Sequence, residues 1–191
     1  MPWLESEHPS DDQLRAYLDE CCPWIGQPEP AIEGHLAIGE AWSLGASELH
    51  EWARGALWNA LKRLDALPRS DPFWVGTNNR PTVPKLVEHA AGLLERDPDD
   101  VAALETQAAI AVPRCPTDFA SDAWLRLWQL GSLDVRLGVI AALWCELNCG
   151  SALREKWSGD RGFAEAARPH VMPLEQAASD ELRVFATRLG A

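Results

Sequence analysis

Positive charge is scarce in this chain. Its 191 residues hold 17 Lys and Arg against 29 Asp and Glu, a formal net charge of −12. A nucleic-acid binder needs cations to displace counterions from phosphates, so that class is not expected. Docking on an anionic lipid surface is disfavoured for the same reason. No run reaches the ~18 apolar residues of a membrane span. No stretch shows the strict apolar–polar alternation of a strand. There is no Gly-rich phosphate loop and no nucleophile elbow. Five Cys is an odd number and Cys21 adjoins Cys22, which is not a disulfide framework. The opening MPWLESEHPSDDQ is acidic and has no apolar core, so no secretory signal is expected. With the cysteine pattern, this points to a reduced, cytoplasmic setting.

Hydrophobic residues make up 47% of the chain, enough for a core in one domain of this length. The aromatic balance is unusual: ten Trp stand against one Tyr and four Phe. Trp is enriched at interfaces, and a buried Trp N–H needs a partner.

The periodicity predicts an all-α protein of about seven to nine helices, stacked as antiparallel hairpins in a HEAT-like array or an irregular bundle. Residues 1–9 read as a flexible N-terminal tail and 10–191 as a single all-helical domain. Ser10 caps a first helix, with Leu14, Tyr17 and Leu18 on its apolar face and Pro23 as its stop. A second helix is expected over 31–44. A long third helix covers 47–66, with a stripe running from Leu49 through Ala53, Leu57 and Leu61 to Leu64. Residues 67–83 form the longest break, rich in Pro and Asn. Thr82 is the expected cap of a fourth helix, on whose face Leu86, Val87 and Ala90 fall. Asp99 or Asp100 starts a fifth, which runs to Val112. A sixth, containing Trp124 and Trp128, ends at Gly131. The segment from Ser132 to Cys149 is apolar over most of its circumference and is expected to be the central helix. Short helices follow, one of them over 160–168 before Pro169, and a last one after Ser179.

The segment LGSLDVRLGVIAALWCEL resembles a HEAT-type helical repeat. Asp134, Val135 and Arg136 match the family's Asp turn followed by Val-Arg, and Ala142 and Leu143 match the small and aliphatic residues of its second helix. The tail SDELRVFATRLG echoes the same pattern. The segment LLERDPDDVAALETQA looks like a tetratricopeptide boundary with Pro98 in the turn, although that family's helix-A aromatic and glycine positions do not match. Together these cover about a third of the chain. The resemblance implies stacked helical hairpins that bind another macromolecule on a concave face.

Catalytic and metal chemistry find little support. Cys145 and Cys149 lie i, i+4 on a helix, but zinc would need two further ligands such as His35, His50 or Cys115, and no second spaced pair exists. Glu5–His8 is the sole Glu-x-x-His motif and lies in the Pro-flanked tail. Cys22 and Cys115 are the candidates for a nucleophile, with nothing to lower their pKa. His35 and His50 read as core or boundary histidines. No catalytic residue, metal or cofactor is therefore assigned.

The strongest partner-binding candidates are Phe73, Trp74, Asn78, Asn79 and Arg80, an aromatic and Arg composition on a long loop. The alternative is that Trp74 plugs the space between the flanking helices. The acidic run Asp97, Asp99, Asp100 reads either as a helix junction or as a docking point for a basic protein. These features favour a non-enzymatic interaction module, in one version an acidic immunity or antitoxin-type inhibitor of a basic protein. The other reading is a small helical enzyme or small-molecule binder, with Trp52, Trp58, Trp124, Trp128 and Trp144 lining a pocket. Self-association through an exposed Trp face is a further expectation.

Overall fold

Local chemistry explains where the chain turns helical. The computed structural model describes residues 8–21, 47–74, 80–112, 118–149 and 159–171, with Arg183 and Thr187. Among these residues it contains seven α-helices and no strand. Helix α1 (Asp11–Cys21) opens on a reciprocal capping box. The Gln13 N–H donates to Ser10 Oγ at 3.3 Å, and the Ser10 N–H donates to Gln13 Oε1 at 2.8 Å. The segment preceding it is not free along its whole length: Pro9 is buried, and His8 Nδ1 lies 3.3 Å from Arg69 Nη2.

Helix α2 (Ser47–Ala66) is the hub. It packs on α1, on α3 (Val83–Arg96), on α4 (Val101–Ala111) and on α6 (Val135–Cys149). The stripe expected for it is the core itself, with Leu49, Ala53, Leu57, Leu61 and Leu64 fully buried. Beyond Ala66 the chain tightens through two turn bonds, Asp71 N–H to Pro68 O at 2.8 Å and Trp74 N–H to Asp71 O at 2.9 Å. The second of these closes a 3-10 turn over Pro72–Trp74.

Thr82 stands at the N-cap of α3 as expected, but its side chain makes no cap bond. The first donor of that helix, the Val83 N–H, is instead satisfied by the Tyr17 hydroxyl of α1 at 3.1 Å. Val87 departs from the expected apolar face and is 45% exposed, because α3 turns Leu86 and Ala90 inward. Asp100 caps α4, its carboxylate accepting from the Ala103 N–H at 2.9 Å.

Helix α4 has small apolar residues on most sides and lies against α2, α3 and α5 (Asp118–Gln129). Alanine lets neighbours approach on several faces, which suits a helix wrapped by three others. Helix α5 ends in a Schellman motif: the Ser132 N–H reaches Leu127 O at 2.8 Å and the Gly131 N–H reaches Trp128 O at 2.9 Å. Gly131 pays no steric penalty for its φ of +72°.

The expected central helix begins later than Ser132. Asp134 caps it, accepting from the Arg136 N–H at 2.8 Å, so α6 starts at Val135. It packs on α5, α2 and α7 (Arg161–Val171), and α2 rather than α6 has the wider set of neighbours among the described residues. Helix α7 continues through Pro169 instead of stopping before it. Pro169 lies in the last turn, so only one backbone bond is forfeited near an end that frays anyway. Its cap is Asp160, which accepts from the Phe163 N–H at 2.9 Å. The helix expected over 31–44 and the last one after Ser179 fall outside the described residues, apart from Arg183 and Thr187.

Candidate partner-binding groove

The α3–α4 junction and α5 enclose an open groove of about 590 Å³. Leu94 from the end of α3, Leu104 from α4 and Leu125 from α5 form its apolar walls, with Pro98 at one side. Leu94 and Leu125 are half-buried, their inner faces against the core and the remainder toward the groove. The polar margin comes from Asp99, Gln107, Asp122, Arg126 and Gln129.

One network organises that margin. Arg126 reaches across to Asp99 with two bonds, Nε to Oδ1 and Nη2 to Oδ2, both 2.7 Å. Its third donor, Nη1, meets Gln129 Oε1 at 3.1 Å. Gln129 Nε2 then donates to Asp160 Oδ2 at 2.8 Å, so the carboxylate that caps α7 also braces α5. The hydrogen bonds from Arg126 hold the Asp99 carboxyl below its ordinary value, opposed by desolvation and helped by the guanidinium charge. Asp97 continues the acidic edge: its Oδ1 accepts from the Asp99 N–H at 3.0 Å. Asp97 is exposed, while Asp100 is turned inward as the α4 cap. The acidic run is thus a helix junction, from which Asp99 alone reaches the groove margin.

A second, smaller cavity of about 160 Å³ lies between α2, α3 and α4. Arg63, His89, Asp100 and Thr106 supply its polar groups. Thr106 Oγ1 donates to the Ala102 carbonyl at 2.8 Å. The His89 ring meets Phe73 edge-on, with centroids 5.0 Å apart. Burial pushes the His89 pKa down, helped by Arg96 and Arg63 and opposed by Asp71 and Asp100.

The loop candidates divide. Trp74 is only 2% exposed and belongs to the main core, so it offers no surface to a partner. It plugs the space beside the helices, with the Arg69 guanidinium 4.9 Å from its ring centroid. Arg69 is in turn held by Asp65, Nη2 to Oδ1 at 2.7 Å. Phe73 is half-buried between the Trp74 ring, His89 and Lys85. Arg80 is half-buried, and Asn78 and Asn79 fall outside the described residues.

The tryptophans proposed for a common pocket are distributed. Trp52 and Trp124 pack on each other with centroids 4.8 Å apart. Trp128 meets Phe163 edge-on at 5.2 Å. Trp58 has two cations over its ring, Arg15 at 5.1 Å and Lys62 at 5.8 Å from the centroid. The Trp144 side chain lies outside the described residues, and among the described residues no tryptophan lines either of the two cavities above. His50 is a buried histidine of α2. Among the described residues no group of three or more His, Cys, Asp or Glu is placed to hold a metal ion, and no helix is long and apolar enough to cross a membrane.

Asp122, Leu125 and Arg126 were not singled out by the pattern of the sequence. Leu125 offered one signal: it lies off the Trp124–Leu127–Trp128 stripe, an apolar residue on the polar side of its helix. Comparison with protein-family models, with curated proteins and with solved structures finds no match.

Proposed function

We propose that this chain is a non-enzymatic, acidic, all-helical module that binds a basic protein partner, as an immunity or antitoxin-type inhibitor does. One observation carries the reading: among the described residues six cations are engaged by carboxylates of the chain itself, while many other carboxylates face outward. Arg54 pairs with Asp19, Lys62 with Asp11, Arg69 with Asp65, Lys85 with Glu88, Arg126 with Asp99 and Arg136 with Glu48. The chain carries a net charge of −12, and Asp12, Glu20, Glu51, Glu95, Asp134 and Glu165 are exposed carboxylates that contribute to an acidic surface. Such a surface attracts a positively charged partner over about a Debye length, ~10 Å at moderate salt, and repels an acidic one.

The test is capture on the immobilised full chain from the cells that make it, followed by reconstitution with the purified partner. Light scattering on the eluting complex, at low and at high salt, gives its stoichiometry. A basic protein in a stoichiometric complex that loosens as salt rises supports the reading. Recovery of no stoichiometric partner, or of an acidic one whose affinity ignores salt, overturns it.

A further inference from the structure

We infer that the cavity between α2, α3 and α4 binds a small free α-amino acid with a short apolar side chain, its carboxylate held by Arg63 and its ammonium by Asp100. The assignment goes beyond the reading above and needs no protein partner. Size is the first support. The cavity measures about 160 Å³. An engineered cavity of about 150 Å³ holds a benzene-sized molecule, so this one takes a ligand with the bulk of alanine or valine. Leu86, Ala90 and Leu93 of α3 give it an apolar wall on which a short aliphatic chain can rest.

Opposite charges line this space without pairing. Arg63 of α2 and Asp100 at the start of α4 both face it, yet they form no ion pair with each other. Arg63 gives one long bond, Nη2 to the Ala102 carbonyl at 3.4 Å, and among the described residues no carboxylate engages it. Asp100 commits Oδ1 to the Ala103 N–H at 2.9 Å, and among the described residues nothing donates to its Oδ2. A free amino acid carries both complementary charges on one carbon and meets both ends at once. An anion alone is repelled by Asp100, and a cation alone by Arg63.

The remaining polar groups suit the same ligand. His89 is half-buried on the cavity wall, and among the described residues its ring makes no hydrogen bond. Burial pushes its pKa below 6.5, so at neutral pH the imidazole is uncharged and keeps one nitrogen as an acceptor. Thr106 Oγ1 donates to the Ala102 carbonyl, and its own lone pairs remain as acceptors. An ammonium has three donors, and Asp100, His89 and Thr106 offer an acceptor each.

The test is isothermal titration calorimetry of the full chain with L-valine. Three companions are valinamide, which lacks the carboxylate, N-acetylvaline, which lacks the ammonium, and L-tryptophan, which is too large. Proton NMR of the His89 ring, assigned by comparison with His89→Gln, locates the binding. Arg63→Gln and Asp100→Asn remove one charge each, and asparagine still caps α4, so that helix keeps its start. Arg136→Gln makes the same charge change as Arg63→Gln on α6, outside the cavity. Far-UV circular dichroism checks the fold of every variant.

The expected result is that valine binds saturably and shifts the His89 resonances. Arg63→Gln and Asp100→Asn each weaken it at least tenfold, and Arg136→Gln changes it less than threefold. The three companions bind at least tenfold more weakly than valine. Valinamide or N-acetylvaline binding as well as valine overturns the recognition of two charges, and tryptophan binding as well overturns the size limit. Binding that ignores both cavity variants and leaves the His89 resonances in place puts the ligand elsewhere and overturns the site. Absence of saturable binding below about 10 mM, weaker than −4 kcal/mol, overturns it outright. None of these outcomes touches the basic-partner reading, which the captured protein decides.

Discussion

Asp99 and Arg126 meet fork to fork, with both oxygens of the carboxylate 2.7 Å from nitrogens of one guanidinium. The pair is exposed, yet it joins the α3–α4 junction to α5 across the groove. Replacing Asp99 by Asn or Arg126 by Gln is expected to lower stability slightly at low salt, with the difference vanishing at high salt. The pH dependence follows from the lowered carboxyl. The contribution is present above the unfolded carboxylate value of 3.8 and is lost as pH falls through the lower folded value. Urea unfolding of wild type and Asp99→Asn should therefore differ at neutral pH and converge in strong acid.

Tyr17 is expected to act as a cap for a helix that is not its own. Tyr17→Phe keeps the ring in the core and removes the hydroxyl that accepts from the Val83 N–H. A loss of about 1 kcal/mol is expected, the usual worth of one such bond. Hydrogen exchange at Val83 should accelerate with it. An unchanged exchange rate at Val83 would contradict this assignment.

His89 is disfavoured as a cation in the fold, mainly by burial. Its folded pKa lies below the unfolded value of 6.5, so the unfolded chain takes up the proton first. Stability should be whole above 6.5 and decline as pH falls from there toward the folded pKa. His89→Gln should flatten that portion of the wild-type curve. Chemical denaturation at a series of pH values measures the difference directly.

Trp74 is expected to behave as a core residue. Trp74→Ala should cost about 3–5 kcal/mol, the range for truncating a buried large aromatic. Trp74→Phe should cost much less. The Trp74 contribution to native fluorescence should be blue-shifted and shielded from iodide. Iodide quenching of that component at the rate of a free tryptophan would place the side chain outside the core.

Much of the helical framework was legible in the residues. The Leu49–Leu64 stripe, the Asp100 cap and the Gly131 stop each depend on neighbours within a turn or two, so periodicity and cap chemistry reveal them. The Ser10–Gln13 box was equally local and could have been read from Ser-x-x-Gln. The neighbours of helix α4 are not legible in this way, because alanine contributes little to an apolar stripe although it lets other helices come close. Val87 is in phase with the core residues of α3, and only the placement of that helix's neighbours leaves it 45% exposed.

The candidate site was far less legible. Asp97 and Asp99 drew notice as an acidic run, but the Arg126 that organises them is 27 residues from Asp99. The Phe73–Trp74 loop had the composition of a binding surface, and packing drew Trp74 inward instead.

What the sequence determined alone is the helical class, the ends of several helices and the acidic character of the surface, because these follow from short-range spacing and from composition. The tertiary structure decided that α2 is the hub, that a Tyr from α1 caps α3, that the tryptophans separate into distinct contacts, and that a groove opens beside α5. Each of these is a meeting of residues distant in the chain. Their partners are chosen by which faces fit and bury together, and no local pattern records that choice.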